Sequence, residues 1–367
     1  MNKLLTKTQS LQKDDPYFLH RVVLKPILPA ASEEDLFESC KLIKQIGESA
    51  FANFLDQQGL ASMWHRVLLN ASKNTPVSDH FIETLHQSRL LATSTYLLQS
   101  QGLRDIKSTL DNENIEHVVF KGCHVRECIY DEPAIRPACD IDVLISPGDQ
   151  VKAIQALVNA GYQAVPDPEI ISHEISLVKG GIAIDLHWDI MRPGRTRIPM
   201  TEILLKTRKE FSIHWGLNND TTLFLMLVHP VFTKYSTTPH STLVRIVDMA
   251  HWIEIKKLDW KQLSTWLEEA GMQTAAWITM EWLRQLTQIV PSTSFTKYIQ
   301  PGKLRTKYLR YWITNNFSSL FINYPRLIQI AFTLPAHDSL TDAIQATMTM
   351  QKTKKSAPRK MNELTAI

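Results

Sequence analysis

Cysteine is scarce in this sequence: four residues, at positions 40, 123, 128 and 139, among 367. No two of them form a C-x-x-C pair, which excludes a dense disulfide scaffold. Cys123, Cys128, Cys139 and the neighbouring His124 match no common zinc-module spacing, so free, partly buried thiols are expected, as in a cytoplasmic protein. Long apolar runs are missing as well. The most apolar late stretch, 320–334, is interrupted by Asn323, Pro325, Arg326 and Gln329, which makes it a poor membrane span. The opening residues Met1 to Lys7 are too polar for a secretory signal. A strong net charge is also absent. The formal sum is +3, and Lys352, Lys354, Lys355, Arg359 and Lys360 account for more than all of it, leaving the rest of the chain close to neutral. That argues against an extended nucleic-acid surface, which needs clustered Lys and Arg, while leaving room for a tRNA end.

What is present changes texture along the chain. From Ser32 to about Asn114, apolar residues recur at helical spacing (Leu36, Cys40, Ile43, Ile46) and glycine is nearly absent. Pro76 separates two helices, and Thr93 to Leu110 reads as one long helix. At Ile115 the pattern shifts. His117-Val118-Val119-Phe120 is a short β-branched and aromatic run that stops at Lys121-Gly122, a strand followed by a turn. Asp140 to Ile145 is a second strand. Ser146-Pro147-Gly148-Asp149 then has the form of a capped helix start, with the helix running to about Ala160 and ending at Gly161. Two more apolar runs, Glu174 to Lys179 and Ile182 to Trp188, are joined by Gly180-Gly181, a hairpin signal. From about Thr221 to Leu334 helices return, rich in core tryptophans (Trp252, Trp260, Trp266, Trp277, Trp282) and with Asp259 as a cap. The expected fold is α+β: a small mixed β-sheet core flanked by N- and C-terminal helical regions. The expected divisions are 1–114, 115–215, 216–335 and a basic, disordered tail at 336–367.

The chemistry concentrates in the sheet. On a strand, residues i and i+2 share a face, so Asp140 and Asp142 lie side by side while Ile141, Val143 and Ile145 pack behind them. Two adjacent carboxylates are unfavourable unless a cation or proton relieves them, and magnesium, a hard ion preferring oxygen, is suited to do so. A bare D-x-D triplet is a weak signal; its position on an apolar strand strengthens it. In Ile184-Asp185-Leu186-His187-Trp188, Asp185 and His187 share the other strand's polar face. Were the two strands neighbours, Asp185 would complete a three-acid cluster able to hold two magnesium ions about 4 Å apart, with manganese as an alternative. Asp185 would also be placed to take a proton from an acceptor. At Lys121-Gly122 the glycine admits backbone N–H groups to an oxyanion and the lysine offers a point charge to outer phosphates. Arg136, between two prolines, is the other candidate phosphate contact.

Taken together, Phe120-Lys121-Gly122, Tyr130, Arg136, Asp140-Ile141-Asp142-Val143-Leu144, Gly161-Tyr162 and Ile184 to Trp188 resemble the signature of the uncharacterised nucleotidyltransferase family, within the DNA polymerase β-like superfamily. The likeness continues more loosely through His229 and Arg245 to Asp248 and Asp259-Trp260. It implies a nucleotidyltransferase core at 115–215 that binds a nucleoside triphosphate with magnesium and passes a nucleotidyl group to an acceptor. Asp140 and Asp142 match its metal-binding pair and Asp185 its third carboxylate. Most of the superfamily carries Gly-Ser at the phosphate turn, where this chain has Lys121-Gly122. His187, His229, Arg245 and Asp248 are expected to line the cleft, against the plainer readings of a core histidine at 229 and an Arg245–Asp248 pair along one helix. The acceptor is left open: a small molecule, a peptide or protein side chain, or a tRNA end. The rival readings are a catalytically silent nucleotide-binding or interaction module and a helical scaffold with a structural sheet.

Overall fold

The computed structural model describes residues 15–349, apart from 72–74, 166, 168–172 and 233–242. It is an α+β fold in which helices surround one mixed sheet of seven strands. The strands are β1 (His117–Phe120), β2 (Ile141–Ile145), β3 (Gln163–Val165), β4 (Glu174–Lys179), β5 (Ile182–His187), β6 (Lys209–Glu210) and β7 (Trp215–Gly216). Their order is β3-β4-β5-β2-β1-β7-β6. The central pair β2–β5 is parallel, while β1–β2 and β4–β5 are antiparallel.

The expected strands and hairpin form. β1 has the bounds read from the sequence, and β2 begins one residue later than expected, at Ile141, leaving Asp140 just outside it. Gly180 (φ +55°) and Gly181 (φ +84°) are both left-handed, the requirement of a two-residue type I′ hairpin turn, and they pair Lys179 with Ile182. The helix expected from Thr93 starts much earlier, at Asp79, and continues to Asn112. Ser78 caps it by accepting the Phe81 N–H at 3.2 Å. The capped start expected at Ser146 is different: Ser146 makes no cap bond and its hydroxyl donates to Glu202 Oε1 at 2.8 Å. A 3₁₀ turn, Pro147–Asp149, leads into the helix Gln150–Asn159 instead. Asp259 does cap its helix, accepting from the N–H groups of Lys261 and Gln262.

The two faces of the sheet bury different cores. Val119, Ile141, Val143, Ile145, Ile184 and Leu186 pack against Leu103, Ile106 and Leu110 of the long helix and Ile154 and Leu157 of the Gln150–Asn159 helix. The opposite face adds Val118, Phe120 and Leu144 to a larger apolar cluster holding residues from both helical regions, from Tyr17 to Ala336. Trp252, Trp277 and Trp282 are buried in it, with Trp260 and Trp266 packed at its edge. The expected tail at 336–367 begins as ordered structure. Ala336 is buried, 340–349 is helical, and Asp342 pairs with Arg197 at 2.8 Å; residues 350–367 lie outside the described residues. Among the described residues no helix is long and apolar enough to cross a membrane.

Candidate active site

Parallel pairing of β2 with β5 sets Asp142 opposite Asp185 and Leu144 opposite His187. Matched residues on neighbouring strands share a face, so Asp142, Asp185 and His187 emerge together on the side away from Ile141 and Val143. One ligand atom from each lies within 4.8 Å of the others, a group that can hold a metal ion. Two carboxylates and an imidazole are all ligands that a divalent cation can take. Asp140 is not a member of this group. It stands one residue ahead of β2, half-buried, and its carboxyl is pushed up to about 6 by burial and by the charges of Asp142 and Asp185. A cation beside it would favour the charged form.

Asp142 is the best-held of the acids. It is 5% exposed, and burial alone would favour its neutral form. Lys121 Nζ at 2.5 Å and His187 Nε2 at 2.9 Å from Oδ1 outweigh that and hold the carboxyl well below the usual range. His187 lies between two acids. Its Nδ1 is 2.8 Å from Glu174 Oε2, a charge contact whose angle falls short of a hydrogen bond. Burial and Lys121 disfavour the imidazolium, but Asp142 and Glu174 together raise its pKa. Glu174 is itself lowered to about 2: burial opposes this, and His187 decides it. Asp185 accepts from Ser176 Oγ at 2.7 Å.

Glu174 and Ser176 are the residues that sequence reasoning missed. The signal was available in the hairpin. A two-residue Gly180-Gly181 turn pairing Lys179 with Ile182 fixes Ser176 opposite Asp185 and Glu174 opposite His187.

Lys121 and Gly122 open the helix Lys121–Ile129 directly after β1, so the turn and the helix start coincide. Lys121 has φ +56°, a left-handed conformation uncommon for a residue with a Cβ, and it brings its ammonium back over the Phe120 ring toward Asp142. A Cβ at Gly122 would sit 2.4 Å from Arg136 Nη1, so Arg136 fills the space that a side chain there would occupy. Arg136 is buried and grips Asp248 of the helix Leu243–Ile255, with Nη2 2.6 Å and Nε 3.1 Å from Oδ2. Tyr130 donates its hydroxyl to Asp248 Oδ1 at 2.8 Å. Burial opposes the Arg136 charge, and Asp248 more than compensates, raising its pKa above the ordinary value. Asp248 is thus held by Arg136 and Tyr130, both distant from it in sequence.

His229, on the helix Asn219–Phe232, is brought to the site. Burial first, then the charges of Lys121 and Arg245, hold its pKa well below the ordinary value, and Asp142 and His187 also act on it. Lys121, Asp140, Asp142, Asp185, His187 and His229 therefore share one electrostatic neighbourhood, with Gly122, Arg136 and Asp248 directly behind the Lys121 turn.

The sequence profile of a family described as uncharacterised nucleotidyltransferases matches residues 44–288, well over half the chain. The chain belongs to that family. No curated protein matches the chain. Membership supports nucleotidyl transfer as the general activity and a nucleotide as a substrate. For this family member the matched span takes in the whole sheet, the Lys121 turn and the Asp248 helix.

Proposed function

We propose that the chain is a magnesium-dependent nucleotidyltransferase that moves a nucleoside monophosphate from a nucleoside triphosphate to an acceptor, with Asp142, Asp185 and Asp140 at the reacting phosphorus. The observation that carries this reading is the convergence of Asp142, Asp185 and His187 ligand atoms within 4.8 Å, beside the Lys121 ammonium. A divalent cation bound there would supply charge stabilisation to the phosphoryl oxygens. The acceptor's oxygen or nitrogen forms a bond to the α-phosphorus, the bond to the β-phosphate oxygen breaks, and pyrophosphate leaves. Asp185, less enclosed than Asp142, receives the acceptor's proton. Lys121 exchanges part of its hold on Asp142 for the departing phosphates. A cation there would favour the charged form of Asp140. Gly122 leaves room for Arg136, which, fixed by Asp248, supports the turn from behind.

The near-neutral body favours a small-molecule or side-chain acceptor, or a tRNA end, over a long nucleic acid. The test is thermal unfolding of the full chain with magnesium and each of the four nucleoside triphosphates. At least one should raise the midpoint, and Asp185→Asn should remove the rise while keeping the unliganded midpoint. No rise with any of the four would overturn the proposal.

A further inference from the structure

The chain leaves β5 at His187 and soon reverses at Arg192-Pro193-Gly194-Arg195. Pro193 presets the second turn position and Gly194, at φ +84°, supplies the left-handed third, the pattern of a type II turn. Arg195 N–H donates back to Arg192 O at 3.4 Å. Two half-buried arginines therefore stand at the corners of one tight turn. Among the described residues neither forms an ion pair with a carboxylate. Asp342, in the same corner of the molecule, is taken by Arg197, with contacts of 2.9 and 2.8 Å.

What holds Arg195 is uncharged. Its Nη1 lies 3.3 Å from His337 Nε2, and its guanidinium stands over the Phe232 ring at 5.1 Å. His337 Nδ1 faces two carbonyl oxygens, Thr333 O at 3.0 Å and Leu334 O at 3.3 Å, so the proton belongs on Nδ1 and Nε2 offers its lone pair to Arg195. Burial and Arg195 keep His337 neutral, lowering it to about 4. A neutral imidazole and a ring face orient a guanidinium without cancelling its charge. Burial and the nearby Arg192 accordingly push Arg195 down to about 10. Arg192 also acts on the neighbourhood of the acid cluster. Its charge helps depress His173, whose ring centroid is 6.4 Å from that of His187.

We infer that the Arg192–Arg195 turn is a binding site for a phosphate group beside the Asp142–Asp185–His187 cluster. Guanidinium forks match phosphate oxygens, and a dianion would offset the repulsion between the two arginines. The source of that phosphate rests on the nucleotidyl-transfer reading: the triphosphate tail or a phosphorylated acceptor.

The experiment is titration calorimetry of the full chain in metal-free buffer with inorganic pyrophosphate and orthophosphate. The wild type should bind at least one saturably, with Arg192→Gln and Arg195→Gln each weakening it about tenfold or more. Arg195→Lys should fall between. Arg192→Gln carries the test if Arg195→Gln fails to fold. No binding by the wild type, or wild-type affinity in Arg192→Gln, overturns the inference. The two sources separate by competition. Saturating ATP that blocks pyrophosphate identifies the triphosphate tail, and simultaneous binding of ATP and orthophosphate identifies the acceptor. Arg192-dependent pyrophosphate binding without any magnesium–triphosphate stabilisation would leave this site standing while the nucleotidyl-transfer reading fell.

Discussion

At the scale of single residues, the acid cluster and the buried pair behind it make different demands. Asp185 is half-buried with one hydroxyl partner, so Asp185→Asn should cost little stability yet reduce turnover by about a hundredfold or more, since it removes a charge aimed at the reacting centre. Steady-state kinetics beside a melting curve checks both halves. Arg136→Met should behave in the opposite way. It strands the Asp248 carboxylate in a buried site, an uncompensated charge costing about 3–5 kcal/mol in denaturant unfolding. Converting Asp248 to Leu in the same chain should recover a good part of that loss. A double variant as unstable as the sum of the singles would show that the pair is not coupled. Sequence reading found these residues but not all of their relations. Alternation along a strand fixes which face a side chain takes, so spacing and the pairing of β2 with β5 put Asp142 and Asp185 on one face. Arg136 looked like a phosphate contact because a loop arginine between prolines has no visible partner in sequence. Its partner lies 112 positions away on a helix, a distance that no local pattern spans.

The elements follow local rules wherever those rules are strong. A four-residue β-branched strand, a Gly-Gly hairpin and an Asp cap were all readable, since each rests on backbone sterics or a bond within a few residues. The long helix was harder. Its start lies fourteen residues ahead of the one expected, because the Thr93-Ser94-Thr95 region lowers helix propensity while Ser78 supplies the cap and Phe81 and Leu85 the packing. At the hairpin, Gly180→Ala and Gly181→Ala should each cost about 1–2 kcal/mol, since a Cβ is disfavoured at positive φ. Both positions are sterically open, so the cost is conformational alone. Loss of activity beyond that predicted from unfolding would indicate that the turn also holds Glu174 and Ser176 in register; wild-type stability in both variants would contradict the turn assignment.

Across the whole molecule, helices from both ends of the chain share one core with the sheet, so the site is built between segments distant in sequence. That union was not legible from the sequence, where the helical regions read as separate blocks; burial of Val244 beside Gly59, for example, depends only on the tertiary fold. The fold also encloses histidines as neutral groups. His214 and His337 are lowered to about 4 chiefly by burial, and His124 and His229 move the same way. Between about pH 6.5 and 4 the unfolded chain binds more protons at these positions than the folded one, so their contribution to stability falls as pH falls. Asp140 and Asp189, raised to about 6, oppose this, because their folded forms bind the extra proton between 6 and the ordinary carboxylate range. His65, His117 and His173 are lowered as well, and Glu127 and His187 are raised; the lowered histidines outnumber the opposing groups, so the melting midpoint should drop on going from pH 7 to 4.5, by about 5 °C or more. A midpoint that rises over this interval in calorimetry would contradict the buried-neutral assignment. The claim at the centre of this molecule is that the Asp142–Asp185 strand pair transfers a nucleotidyl group. It is tested most directly by incubating the full chain and magnesium with cell extract and triphosphates labelled at the α or the γ position. Label from the α position should enter an acceptor, γ label should appear in pyrophosphate, and Asp185→Asn should abolish both. Label entering the acceptor from the γ position alone would contradict the assignment and identify a phosphoryl transferase instead.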